Sequence, residues 1–217
     1  MICDRLQNAL PPVWDGRQAV VYMRENGCKN WKQMEWHGFY FQFECERILS
    51  DVMNIPGPKY KNVIFDGGNE IPWDFKAHAV KDGQPVLGNV PTNGYEETCA
   101  AIRDYGEVGF IVACGKAVYD TDGSFKHWHD ELKGGISRFE TERIQRGARS
   151  RKRKTAFYFD SLCFVFLNER TLPFCGRFQT DFRNSDGSLR NPKVMLNLSD
   201  RRIETYKFDL RSRRLSR

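Results

Sequence analysis

Ile71-Pro-Trp-Asp-Phe-Lys-Ala-His-Ala-Val80 is the stretch that decides how this chain is read. Taken as a strand, it sorts by parity: Ile71, Trp73, Phe75, Ala77 and Ala79 fall on one face, and Asp74, Lys76 and His78 on the other. An acid and a base therefore share one side of a strand whose opposite side is apolar. Asp66 closes the preceding run, Tyr60-Lys-Asn-Val-Ile-Phe65, and Gly67-Gly68-Asn69 supplies turn residues that bring the chain back alongside itself. A second carboxylate is thus expected close to the first.

Hydrolysis of a phosphodiester needs a hard cation to neutralise phosphate charge and acidify an attacking water, and such cations take oxygen ligands. Asp66 and Asp74 can supply those oxygens, while Lys76, on the same side of the strand as Asp74, can orient the water or stabilise developing negative charge. Asp66 followed by Asp74-Phe75-Lys76 resembles the PD-(D/E)XK nuclease superfamily, whose type II restriction endonucleases carry an Asp and then, in the next strand, Asp/Glu-x-Lys. Phe65 stands where that family has Pro, and the interval between the carboxylates is short for it. The resemblance implies Mg²⁺ bound by Asp66 and Asp74, with Glu70 the alternative to Asp66 as first ligand. It also implies a glutamate reaching the metal from the first helix. The helix-like segment from Trp31 to Met53 offers Glu44, with Glu35 in reserve.

Helix, hairpin strands, helix and strand is the order expected along residues 31–118, and the resemblance covers that region. Thr92-Asn93-Gly94 leads into a helical stretch, Tyr95 to Tyr105, with acids in its first turn and Gly106 as its stop. Val108-Gly-Phe-Ile-Val-Ala-Cys114, bounded by Gly115, reads as a buried strand, and Ala156 to Leu167 as a longer one. The expected fold class is α/β, a mixed central sheet flanked by helices with a restriction-endonuclease-like αβββαβ core. Residues 119–217 are expected to add a core-completing strand and a basic DNA-binding extension, all within a single nuclease domain.

Charge is divided unevenly along the chain. Residues 1–142 hold 15 Lys/Arg against 21 Asp/Glu, a net of −6, while residues 143–217 hold 19 against 7, a net of +12. A polyanion bound mainly by the second half fits this asymmetry. The expected DNA contacts are Ser137, Arg138, Arg143, Arg146, Arg149, Arg151, Lys152, Arg153 and Lys154, with Gln145 and Ser150 adding polar contacts. Arg183 and Arg190 belong to a polar hairpin or loop between Arg177 and Lys193, and His78 is expected beside the phosphate. The terminal Arg211-Ser-Arg-Arg-Leu-Ser-Arg217 reads as a basic tail.

Other classes are disfavoured. No stretch approaches the roughly 20 apolar residues of a membrane span, and the first residues do not pattern as a signal peptide. Seven cysteines without a Cys-x-x-Cys pair suit reduced, packed thiols, so a cytoplasmic protein is expected. His127-Trp-His129 has the wrong spacing for a helical zinc pair, and no nucleotide-binding glycine motif is present. The reading is a Mg²⁺-dependent type II restriction endonuclease cutting double-stranded DNA as a homodimer. Its rivals are a structure-selective or damage-selective nuclease of the same superfamily and a non-enzymatic nucleic-acid-binding protein.

Overall fold

The computed structural model describes residues 2–80, 88–148, 150, 152–183 and 187–210. In chain order these form α1 (Ile2–Ala9), β1 (Val13–Asp15), α2 (Gly16–Glu25), a 3₁₀ turn (Lys29–Lys32), α3 (Trp36–Leu49), β2 (Lys59–Tyr60), β3 (Val63–Ile64), β4 (Gly67–Gly68), β5 (Pro72–Ala79), β6 (Asn89–Gly94) and α4 (Tyr95–Tyr105). They continue as β7 (Glu107–Tyr119), α5 (Ser124–Leu132), α6 (Arg138–Gln145), β8 (Lys154–Asn168), a 3₁₀ turn (Leu172–Phe174), β9 (Gly176–Phe178), β10 (Lys193–Asn197) and β11 (Glu204–Asp209). The architecture is mixed α/β.

The main sheet runs β1-β8-β7-β5-β4, with β11 also pairing β8. β5 and β7 are parallel, joined through α4, and every other pairing in this sheet is antiparallel. A parallel pair needs such a crossover, and α4 supplies it. Its stop is the expected one: Gly106 takes φ 79° and its N–H returns to the Ile102 carbonyl. A smaller sheet, β6-β10-β9, lies beside α4, and β2 with β3 makes a separate hairpin.

Two cores sit on opposite sides of the main sheet. Phe75, Ile111, Ala113, Phe157 and Phe159 pack with α1, α2 and α3 on one side; Phe110, Val112, Cys114 and Val165 pack with α4 and the small sheet on the other. Trp14 is the hub of the first core, with its ring 4.8 Å from Phe157, 5.3 Å from Tyr40 and 5.9 Å from Phe41. The parity expected of residues 71–80 holds for both sides: Phe75 and Ala77 pair in register with Ile111 and Ala113, and Asp74, Lys76 and His78 with Phe110, Val112 and Cys114.

Three local readings change. The segment from Trp31 to Met53 is not one helix, because the chain is extended at Gln33 and the α-helix begins only at Trp36. Tyr60 to Phe65 is not a strand of the main sheet but the tip of the β2–β3 hairpin. Gly67 and Gly68, expected in the turn, instead form the strand that pairs Trp73 and Pro72. Their missing side chains allow this approach, since a Cβ on Gly68 would lie 3.0 Å from Pro58 Cδ and one on Gly67 3.2 Å from Met53 Sδ.

Trp73 lies flat against Gly109 of β7, where an added Cβ would come within 2.4 Å of the indole ring. Trp73 is 7% exposed, and its ring packs edge-on against Phe164 and Phe166. Gly109→Ala is expected to lower unfolding free energy by about 1–3 kcal/mol in chemical denaturation, the usual cost of overpacking a filled core.

Candidate active site

β4 ends after two residues, so among the described residues the outer edge of β5 has no strand partner beyond Trp73. Asp66 takes over there. Its Oδ2 accepts the Phe75 backbone N–H at 2.6 Å, and its Oδ1 accepts from Gln42 Nε2 at 2.7 Å. The same Gln42 amide also reaches Glu46 Oε1 at 3.0 Å. Gln42 and Glu46, four apart on α3, face this edge, and the carboxylate is oriented by one backbone and one side-chain donor.

Asp74, 2% exposed, forms an ion pair through Oδ2 with Lys76 Nζ. The Asp66 and Asp74 carboxyls are close enough to interact directly. Burial and then the Asp74 charge raise Asp66 well above the usual carboxylate range, while Lys76 and the Phe75 N–H pull the other way. Burial opposes the Lys76 ammonium, but Asp74 and Asp66 outweigh it and hold that group above its ordinary value. Asp66, Asp74 and Lys76 therefore form one electrostatic unit, as the sequence spacing implied.

The remaining acids part company. Glu70 is exposed in the turn before β5 and has no hydrogen bond to this unit among the described residues. Glu44 is buried, but Oε2 pairs with Arg47 at 2.7 Å, and burial, followed by the Glu44 charge, pushes Tyr40 up to about 12. Helical geometry explains the correction: Glu44 lies about 200° around α3 from Gln42, so it points toward Tyr22 and Tyr40. Glu46 is the α3 glutamate linked to Asp66. Its spacing of four from Gln42 was the available signal. Glu35, the reserve, pairs with Lys154 at 2.5 Å. His78 projects on the Asp74 side of β5, and its charge, after burial and Lys154, helps keep His37 neutral.

Much of the basic segment is engaged internally. Ser137 caps α6, accepting the Glu140 N–H at 3.3 Å. Arg138 pairs with Glu142 at 2.8 Å, Arg143 approaches Glu140 at 3.9 Å, and Ser150 donates to Glu140. Arg153 is 6% exposed, and Lys154 is held by Glu35, so neither is presented for DNA contact as expected. Their alternation explains this, because the basic run passes directly into β8. Arg146 and Lys152 are exposed, whereas Arg149 and Arg151 lie outside the described residues, as does the basic tail. Arg183 and Arg190 are exposed at a short hairpin closed by the bridge between Arg183 and Leu189. His127 pairs with Glu131 at 3.2 Å; His129 is buried against the Trp31 carbonyl at 3.1 Å.

The chain matches no family model, no curated protein and no solved structure.

No group of three His, Cys, Asp or Glu side chains placed to hold a metal occurs among the described residues. Mg²⁺ nevertheless asks for only one or two protein carboxylates when waters and phosphate oxygens complete its shell. Two carboxylates adjoin one ammonium, and burial first, then the Asp74 charge, raises Asp66. This donor set fits a divalent cation. Because Asp66 is raised, the stability gained from its proton is present in acid and lost as pH rises through the folded-state value. A cation replaces that proton. Adding 10 mM Mg²⁺ without DNA is therefore expected to raise the melting temperature by a few degrees at pH 8, less at pH 5, and not at all in Asp74→Asn, read by differential scanning calorimetry.

Proposed function

We propose that this protein is a Mg²⁺-dependent endodeoxyribonuclease of type II, which cuts a short specific sequence in double-stranded DNA as a homodimer in the cytoplasm. The observation that carries the reading is the coupled unit of Asp66, Asp74 and Lys76 at an open strand edge. The element order supports the likeness to the PD-(D/E)XK core: helix α3, antiparallel β4 and β5, crossover α4 and parallel β7. No helix among the described residues is long and apolar enough to cross a membrane.

Asp66 and Asp74 would hold the ion, which supplies charge neutralisation at the phosphate and a more acidic attacking water. Gln42 and the Phe75 N–H keep the Asp66 carboxylate oriented toward Asp74. Lys76 has its ammonium on Asp74 and can donate to the water or a phosphoryl oxygen without crossing the strand. His78, two residues further along the same face, borders this region.

Several long DNAs of known sequence, incubated with Mg²⁺ or chelator and resolved on a gel, test the reading. Discrete Mg²⁺-dependent fragments support site-specific cleavage, smearing transfers the assignment to a structure-selective or non-specific nuclease, and retarded but intact DNA identifies a binding protein. Asp74→Asn and Lys76→Ala are each expected to reduce the cleavage rate by about 10²–10³-fold while duplex binding persists in gel shift.

A further inference from the structure

β11 is an edge strand, with β8 as its one strand partner among the described residues. The Leu210 N–H goes to the Asp160 carbonyl, so alternation along the antiparallel ladder directs the backbone N–H and C=O of Thr205, Lys207 and Asp209 to the outside of the sheet. The register runs from Glu204 to Asp209 without a bulge. An edge of this kind is a template for another strand.

The side chains of β11 divide by face. Tyr206 and Phe208, 52% and 41% exposed, make edge-on ring contacts with Phe166 at 6.1 Å and Phe164 at 5.6 Å. Trp73 continues this row, 5.5 Å from Phe166 and 6.4 Å from Phe164. The five rings and the first residues of α1 line an open apolar groove of about 380 Å³. On the opposite face, Lys207 Nζ pairs with Asp209 Oδ1 at 2.8 Å.

We propose that this edge is covered by β11 of a second copy of the chain, added antiparallel about a two-fold axis that passes through the sheet at Phe208. An axis normal to the sheet returns each face to itself, so only residues of equal parity lie opposite one another. Axes at Lys207 or Asp209 set like charges together, and one at Tyr206 sets Lys207 opposite the partner's Thr205. At Phe208, Lys207 lies opposite the partner's Asp209 and Asp209 opposite the partner's Lys207, which makes two opposite-charge pairs across the strands. Tyr206 then faces the partner's Leu210, and the two Phe208 side chains meet on the axis, so the apolar row runs from one copy into the other. The complementarity of this edge is to itself, which singles out a second copy as its partner. The inference rests on the homodimer in the nuclease reading and names its surface. Because faces are preserved, both Asp74–Lys76 units lie on one side of the joined sheet.

The test uses the full chain without DNA, in analytical ultracentrifugation. Wild type is expected to sediment with twice the chain mass at micromolar concentration. Lys207→Asp and Asp209→Lys each make both cross-strand pairs repulsive and are expected to weaken association at least tenfold, while an equimolar mixture of the two variants recovers it as a mixed dimer. The double variant Lys207→Asp/Asp209→Lys is expected to dimerise, which reports that the changes leave the chain folded. Opposed residues of a non-hydrogen-bonded antiparallel pair have Cα atoms about 4.5 Å apart, so Phe208→Cys is expected to form a covalent dimer on mild oxidation beyond the wild-type background, and Tyr206→Cys not to. Association within twofold of wild type in both single variants, or weakening that the mixture fails to recover, would overturn this surface and leave the homodimer standing. A monomeric wild type overturns the surface and the homodimer together, while DNA cleavage, measured separately, decides the nuclease reading.

Discussion

The hydrogen bond from the Phe75 N–H to Asp66 is the constraint on which this edge of the molecule depends. A continuing β4 would have satisfied that N–H with backbone. It cannot, because Phe65 has already committed its own N–H to Pro58 and its carbonyl to Gly57. A buried strand N–H without a partner is costly, so the nearest side-chain acceptor occupies the position the backbone has vacated. That acceptor is a carboxylate, and its placement beside Asp74 is a direct consequence. Packing and electrostatics are opposed here: the two acids repel, and the backbone hydrogen bond, Gln42 and Lys76 together hold them in place.

The distribution of charge in space differs from its distribution along the chain. Residues 143–217 are strongly basic in sequence, yet Arg143 and Lys154, at their start, face Glu140 and Glu35 of the acidic part, and the cations of α5 and α6 pair with nearby acids. Asp130, for instance, receives both Lys126 and Lys133, and Glu140 is surrounded by Lys126, Arg143 and Ser150. This network ties the two short helices to the segment that enters β8. Arg183, Arg190 and Lys193, in the hairpin and small sheet, are exposed.

Local periodicity made part of this legible. The alternation from Ile71 to Val80 identified both faces of β5, and the acidic first turn and terminal Gly106 bounded α4 correctly. Asp66, Asp74 and Lys76 were legible as a unit because they lie within eleven residues of one another. What depended on three-dimensional placement was not legible. Choosing Glu46 over Glu44 requires the rotation of α3 about its axis, which is set by packing around Trp14, and Trp14 belongs to a three-residue strand with no sequence pattern of its own. The burial of Arg153 likewise follows from where β8 begins, which composition alone does not reveal.

The two-residue length of β4 has a further consequence, for how the folded molecule behaves among its own copies. An edge strand with free backbone donors invites another chain to add to the sheet, and proteins discourage this with charge and with interruptions of the ladder. Here Asp66 occupies the Phe75 donor, and a neighbouring lysine sits on the same strand. A second molecule approaching this edge meets a carboxylate and an ammonium instead of an open ladder. The groups read as chemical machinery therefore also act as gatekeepers against aggregation, so replacing Asp66 with an apolar residue removes a safeguard of colloidal stability together with a ligand.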